Sequence, residues 1–309
     1  MHHAEFAKSV KIDDCRIINR PDLVFLCGGK TCSPSTAYLS ARDYFWHHIK
    51  AEDESLHKRL RLAENINDWF DRAMFGDLLE VEECLADLAE LIILFVESPG
   101  SIAELGAFAV SEILRSKTLA IINQFHGTER SFIADGPIRR ISNNREDLVM
   151  YFNWDPEDVN GSATLSTFCE LSKEVSDFLN VRRANANKEE RLDRRARSHC
   201  MLLVSDIINI FGLALISELE ECLSAWRFDI DRKQLQQYIF ILQKVGLITR
   251  VRYSSQTYYA SRTEKAGVRY DYTADAVFRD RERIKHSIRN TFSGSKAAAF
   301  KNHLARQRS

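Results

Sequence analysis

The hexapeptide Leu91-Ile-Ile-Leu-Phe-Val96, followed at once by Glu97-Ser-Pro-Gly100, constrains this chain more than any other segment. An unbroken apolar run rich in branched and aromatic side chains suits a strand buried on both faces. Such strands belong to parallel sheets covered by helices, because a sheet with one wet face alternates polar and apolar residues. Pro99-Gly100 breaks the strand, residues 102–115 carry a helical pattern, and Thr118-Leu-Ala-Ile-Ile122 reads as the next strand, which completes a β-α-β unit. No apolar stretch approaches the roughly 20 residues that a membrane-crossing helix requires. The opening Met1-His-His-Ala-Glu-Phe6 has none of the ordered regions of a signal peptide, so a cytoplasmic protein is expected.

The alternation extends upstream. Leu23-Val-Phe-Leu-Cys27 ends in Gly28-Gly29, as a buried strand entering a tight turn does, and Ser33 before Pro34 marks a helix start with Leu39, Phe45 and Ile49 at helical spacing. Residues 60–63 form a shorter strand, and helices are expected at 67–75 and 77–89, the latter with Leu78, Val81, Leu85 and Leu88 on one face. Residues 147–152 are a last strand. With a helix near 165–179 closing it, residues 1–180 read as an open, Rossmann-like parallel-sheet α/β domain.

Such sheets bind ligands outside the carboxyl ends of their strands. Three polar clusters fall there: Gly28-Gly29-Lys30-Thr31, Glu64-Asn65 and Glu97-Ser98-Pro99-Gly100-Ser101. The glycine doublet before Lys30 suits a phosphate, since glycine lets backbone N–H groups approach an anion, and a plain turn accounts for it equally. The Walker A spacing fails, because Val24 stands where its first glycine belongs. Glu104 has two readings. Ser101-x-x-Glu104 matches a capping box, which needs no chemistry. Alternatively, Glu104 lies in the first turn of a helix at the mouth of the sheet, where the positive helix end keeps a carboxylate ionised; Gly100 then leaves room for a ligand, and Gly106 lets the helix pack closely on its strand. The seven cysteines are odd in number and scattered, without Cys-x-x-Cys, and the His2-His3 and His47-His48 pairs lack i, i+4 spacing. Neither a disulfide framework nor a metal site nor a resident cofactor is expected.

The net charge of −1 conceals a division: residues 180–309 hold 25 Lys and Arg against 14 Asp and Glu, and residues 1–179 hold 18 against 30. Such asymmetry fits a C-terminal part that faces a polyanion or the acidic part of another copy. Residues 181–197 carry almost no large apolar side chain and read as a charged linker or exposed helix. Residues 198–262 follow the helix-helix-helix-β-β order of an α+β winged helix-turn-helix domain, with Asp231 capping a third helix whose Leu235, Ile239, Leu242 and Val245 face the core. That leaves Arg232, Lys233, Gln236 and Gln237 to reach bases or phosphates, while Arg250 and Arg252 project from one face of the hairpin. The basic tail, 263–309, with Arg279, Arg281, Arg283, Lys285 and Arg289, is expected to lie on phosphates as a helix or arm.

The strand followed by Glu97-Ser-Pro-Gly-Ser-x-Ala-Glu104-Leu-Gly-Ala-Phe108 resembles the signature of nucleoside deoxyribosyltransferase-like proteins, and most closely that of the retron-associated effectors in which this domain precedes a winged helix. The Gly28-Gly29 loop and Ala63-Glu64-Asn65 agree with it, and Leu242-Gln-Lys-Val-Gly-Leu-Ile248 resembles the junction of recognition helix and wing. The resemblance implies cleavage or transfer at an N-glycosidic bond, with Glu104 attacking the anomeric carbon as in retaining glycoside hydrolysis. It points to NAD or another nucleotide as substrate. Nicotinamide leaves a cationic glycoside as a neutral molecule with little acid help, whereas a purine needs protonation, and Glu64, Asp71, Asp77 and Glu97 are the only acids that suggest themselves. Gly28, Gly29, Lys30, Glu64, Glu97, Ser98, Gly100 and Ser101 are the residues expected around the substrate, with Glu64 and Glu97 on ribose hydroxyls. The implied partners are a retron reverse transcriptase and its branched multicopy single-stranded DNA with its RNA, which hold a toxin in check until phage infection, and further copies of the chain; no membrane is implied. A deoxyribosyltransferase, a winged-helix regulator whose α/β domain senses a nucleotide, and a structural adaptor are the alternatives.

Overall fold

The computed structural model describes residues 2–31, 37–62, 74–128, 130–143, 145–185 and 189–308. The chain forms two compact units, one of Pro21–Phe70 and Gly76–Ala186, the other of Met1–Arg20, Asp71–Phe75 and Asn187–Ser309. In chain order the strands are β1 (Arg16–Ile17), β2 (Val24–Cys27), β3 (Leu60–Leu62), β4 (Leu91–Val96), β5 (Thr118–Asn123), β6 (Val149–Phe152), β7 (Glu190–Arg191), β8 (Ile248–Tyr253), β9 (Gln256–Ser261) and β10 (Val268–Arg269).

In the α/β unit, β2 to β6 make a five-stranded parallel sheet of order β3-β2-β4-β5-β6. Every residue of β2, β4 and β5 is buried, which is why these segments read as continuous apolar runs rather than alternating ones. Because β3 and β4 flank β2 on opposite sides, the strand order reverses there, and the connections leaving β2 and β4 diverge at the point where open sheets hold ligands.

The helices that follow these strands start where their caps lie. After β2 the helix is Ala41–Glu52, capped by Ser40, whose Oγ accepts from the Asp43 amide at 3.0 Å. The expected start at Ser33-Pro34 lies outside the described residues, and Leu39 is 54% exposed, off the core. Leu78–Leu88 is capped by Asp77 as its sequence predicts, and Val81, Leu85 and Leu88 are buried; Leu78 instead faces solvent. The helix expected at 67–75 falls largely outside the described residues. After β4 the helix runs Pro99–Val110, three residues earlier than the pattern suggests, and a second one, Glu112–Lys117, follows extended Ser111. Proline at the first helical position, where its fixed φ suits the helix and its missing N–H is not needed, sets that start.

The other unit contains Arg197–Phe211, Ile216–Ala225 and Arg232–Lys244, followed by the β8-β9 hairpin, with Ala214 bridging antiparallel to Tyr259 of β9. Asp231 and Gln234 form a reciprocal capping box at the third helix, and Gly246 just beyond its end has φ +81, a conformation that favours glycine. Phe6 from the N-terminal helix His3–Ser9 packs edge-on against Phe211, Trp226 and Tyr270, and the Trp226 indole N–H donates to the Ala7 carbonyl at 2.8 Å. That buried aromatic cluster explains why the first twenty residues share a core with the C-terminal segment. No helix among the described residues is long and apolar enough to cross a membrane.

Candidate active site

Glu97, the first residue after β4, organises the reversal point. Its Oε1 accepts from the amides of Gly29 and Arg42, both at 3.1 Å, and its Oε2 accepts from the Ala41 amide at 2.7 Å. One carboxylate thus ties the turn after β2 to the N-terminus of Ala41–Glu52. Burial pushes this carboxyl up while the three amide donors pull it back. With three backbone bonds in place, the Glu97 oxygens serve the backbone here rather than a ribose diol.

The glycine doublet has a steric basis in the same contacts. Gly28 has φ +141, and a Cβ there would stand 2.7 Å from Phe95 Cβ and 2.8 Å from the Phe95 carbonyl oxygen. A Cβ on Gly29 would stand 2.7 Å from Glu97 Oε1. Close backbone approach therefore requires both glycines, whether or not a phosphate also comes near. Lys30 is exposed and its carbonyl accepts from Ser40 Oγ at 2.9 Å. Glu64 and Asp71 lie outside the described residues, and Asp77 is engaged as a helix cap.

The cap of Pro99–Val110 decides between the two readings of Glu104. Ser98, not Ser101, is the cap: Ser98 Oγ accepts from the Ser101 amide at 3.2 Å, and Ser101 Oγ in return accepts from the Glu97 and Ser98 amides at 3.0 and 2.9 Å. The expected Ser101–Glu104 capping box is absent, because the box belongs to Ser98 and Ser101. Glu104 is instead the sixth helical residue, beyond the first turn. The expectation that the helix end keeps it ionised also fails, since the macrodipole acts mainly within that turn; burial pushes its carboxyl up, and Arg42 opposes that shift. Its Oε2 is buried and has no hydrogen-bond partner among the described residues. Gly100 meets only Ser98 Oγ, at 3.9 Å, so a ligand could approach it; Gly106 touches nothing within 4 Å among the described residues, contrary to the close packing expected of it.

Two residues that the sequence does not single out complete the surroundings of Glu104. Arg42 is 2% exposed, donates through Nη1 to the Leu26 carbonyl at 3.2 Å, and is the cation nearest in electrostatic effect to Glu104. Glu82, on Leu78–Leu88, has its carboxyl pushed up to about 7, first by burial and then by repulsion from Glu104. Cys27, at the end of β2, feels both carboxylates, and burial together with their charge holds its thiol well above the usual range, which makes it inert. Arg42 thus favours charge on Glu104, while nothing comparable favours charge on Glu82.

Beyond the carboxyl ends of β4, β5 and β6 lies a cavity of about 900 Å³, bordered by Ser98, Pro99, Ile102, Phe125, His126 and Trp154 among others. Ile102 and Glu104 are two residues apart on one helix, and so point to different sides of it. Among the described residues, no group of three or more His, Cys, Asp and Glu is arranged to hold a metal ion.

The basic residues of the other unit divide into engaged and outward-facing sets. Gln237 is buried and its amide donates to the Met74 carbonyl at 2.7 Å, and Arg232 pairs with Glu220 at 3.2 Å. Lys233 and Gln236 are exposed, as are Arg250 and Arg252. In the tail, which forms helices at Arg281–Arg289 and Gly294–Arg308, Arg281 binds buried Asp206 through two bonds of 2.9 Å, Lys285 is buried beside Glu282, and Arg289 lies over the Phe300 ring. Those three side chains hold the unit together instead of lying on phosphates, a correction to the tail as a basic arm.

The profile of a protein family described as STM3845 retron effector protein matches residues 38–250. A protein of retron Ec86 from Escherichia coli, named as a candidate ribosyltransferase/DNA-binding protein, is 34% identical over 167 residues, which are 51% of this chain and 47% of that protein. Its counterpart from retron Ec73 of Escherichia coli, similarly named, is 26% identical over 215 residues, 67% of each chain. The match to the Ec86 protein thus spans about half of that protein's length.

Proposed function

The chain belongs to the STM3845 retron effector family, and on that premise we propose that it is the toxin of a retron antiphage system, breaking an N-glycosidic bond of a nucleotide, NAD in the first instance, with Glu104 as nucleophile. The observation that carries this reading is the Glu104 carboxylate itself: it is not the helix cap, its Oε2 is buried without a hydrogen-bond partner among the described residues, and its principal countercharge is Arg42. A carboxylate desolvated in this way is costly unless it has work to do.

Glu104 attacks C1′ of the nicotinamide riboside, the C1′–N bond breaks, and its electron pair passes to the ring, so that nicotinamide leaves neutral. Water then attacks C1′ of the ribosyl ester, the ester C–O bond returns its electrons to Glu104, and the water proton goes to solvent. Arg42 favours the ionised form of Glu104 against the upward push of burial. The names of the Ec86 and Ec73 relatives, which join ribosyltransferase to DNA binding, support glycosyl chemistry in one unit and nucleic-acid contact in the other. The partners would be the retron reverse transcriptase and its branched DNA-RNA product, whose grip restrains the toxin until infection.

A second reading is favoured by Glu82. A carboxyl that titrates at about 7 beside the nucleophile can donate a proton to a leaving base, which suits a purine nucleoside or nucleotide, by hydrolysis or by transfer. Product analysis separates the two. In cells expressing the chain with its retron partners under phage challenge, nicotinamide release and NAD loss with wild type but not Glu104→Gln support the first. Release of a purine base with stable NAD supports the second. Unchanged nucleotide pools under confirmed toxicity would refute both.

A further inference from the structure

We propose that nucleic-acid phosphates are held in a groove between β8 and the last helix, Gly294–Arg308, rather than by the outer face of Arg232–Lys244. This rests on the reading that this unit contacts nucleic acid, and it concerns where.

β8 pairs with β9 on one side only, and Gly294–Arg308 packs against β8. Between them is a concavity of about 660 Å³ whose border includes Arg250, Arg252, Arg262, His303 and Arg306; among the described residues that line it there is no carboxylate. Arg250, Arg252 and Arg262 concentrate positive charge at one hollow, which a polyanion is drawn to. Burial and the charge of Arg306 both push the His303 imidazole down, so a cation is already disfavoured there.

The face of helix Arg232–Lys244 offers less. Gln237 is buried on the Met74 carbonyl and Arg232 holds Glu220, which leaves Lys233 and Gln236. The groove volume falls in the range of roughly 300–1,000 Å³ that encloses drug-sized ligands. It therefore takes a short stretch of one strand, and the expected partner is a single strand bound through its backbone with little sequence preference. Among the described lining residues only Tyr253 and His303 carry aromatic rings, so base stacking contributes little beside the phosphates.

The test uses the full chain and a fluorescein-labelled, mixed-sequence single-stranded oligodeoxynucleotide, followed by anisotropy across a salt series. Four phosphate contacts give a slope of log K against log salt of about −3, so that affinity falls about 50-fold between 50 and 200 mM salt. Arg262→Ala with Arg306→Ala, both exposed, removes two of those contacts and flattens the slope by about 1.4, whereas Lys233→Ala with Gln236→Ala leaves it unchanged. The reverse pattern overturns the groove while sparing the reading beneath it. Failure of wild type to bind any single-stranded or duplex DNA or RNA overturns that reading as well. Far-ultraviolet dichroism melts of both variants must match wild type, and Arg262→Gln with Arg306→Gln repeats the measurement if they do not.

Discussion

Replacing Glu82 by glutamine should make the protein more stable at pH 8 and leave it unchanged at pH 4. The carboxyl of Glu82 has an ordinary value of 4.5 and is held at about 7 in the fold. That difference is worth about 3 kcal/mol, at roughly 1.4 kcal/mol per pH unit. The folded chain binds the proton more tightly than the unfolded one, so the contribution is fully present below pH 4.5, shrinks as pH rises through 7, and is gone by pH 8. Glutamine is a neutral isostere that has no proton to lose. Urea unfolding of wild type and Glu82→Gln at both values measures this directly: with a slope of about 1–3 kcal/mol per molar urea, the midpoint of the variant at pH 8 should exceed that of wild type by about 1 M or more. Because Glu104 contributes to the upward shift, Glu104→Gln should move the wild-type decline toward lower pH. Parallel pH profiles for wild type and Glu82→Gln would refute the argument, since they would mean that the Glu82 carboxylate is solvated in the fold.

Glu97→Ala leaves the amides of Gly29, Ala41 and Arg42 without their acceptor, and at about 1–3 kcal/mol for each buried unsatisfied group it should destabilise by about 3–9 kcal/mol; a wild-type urea midpoint with altered substrate affinity would instead assign Glu97 to the ligand. Gly28→Ala forces a side chain into φ +141 and against the Phe95 carbonyl, so a thermal melt should register a loss of at least about 1–3 kcal/mol. Arg281→Ala leaves Asp206 buried and uncompensated, with an expected loss of about 3–5 kcal/mol in chemical denaturation. In the proposed glycosidase reaction Glu104 would act ionised, and its carboxyl is pushed up, so kcat/KM for base release should rise with pH from the acid side; a rate independent of pH from 4 to 6 would contradict a nucleophilic carboxylate in this setting.

The strands of the parallel sheet are legible in the sequence because burial on both faces writes itself as unbroken apolar runs, as in Leu91–Val96 and Thr118–Asn123. Helix starts are less so. Ser98 and Ser101 are both competent caps, and only the proline between them, locked at the first helical position, selects Ser98; one turn of difference moves Glu104 out of the cap and into the interior of the helix. Glu104 itself stands out through its motif. Arg42 and Glu82 do not, because their local context is that of ordinary surface helices: Glu82 sits among Glu80 and Glu83, and nothing in that run tells which acid turns inward. Their significance arises from contacts across the sheet connections, between segments that are tens of residues apart in the chain. Gln237 and Arg281 show the converse. Each looks like a nucleic-acid ligand by composition and is taken up by an internal partner instead, Met74 for one and Asp206 for the other.

The pairing of Glu82 with Glu104 bears on why the two candidate substrates are hard to separate from residue types alone. A nucleophile that serves a cationic glycoside needs only its own negative charge, which burial of Glu104 opposes and Arg42 favours. A protonated neighbour adds nothing for nicotinamide, which leaves neutral, but it is the missing element for a purine, which departs only as its proton arrives. A carboxyl held near 7 by burial and by like charge is an unfavourable arrangement for stability, by the same 3 kcal/mol that governs its pH dependence. If glycosidic cleavage is the function, a purine leaving group would use a proton held on Glu82, and cleavage of NAD would leave it unused. Glu82→Gln therefore discriminates at the level of chemistry as well as stability: it spares NAD cleavage and abolishes purine release, and a variant that is more stable yet inactive toward a purine glycoside would identify Glu82 as its acid.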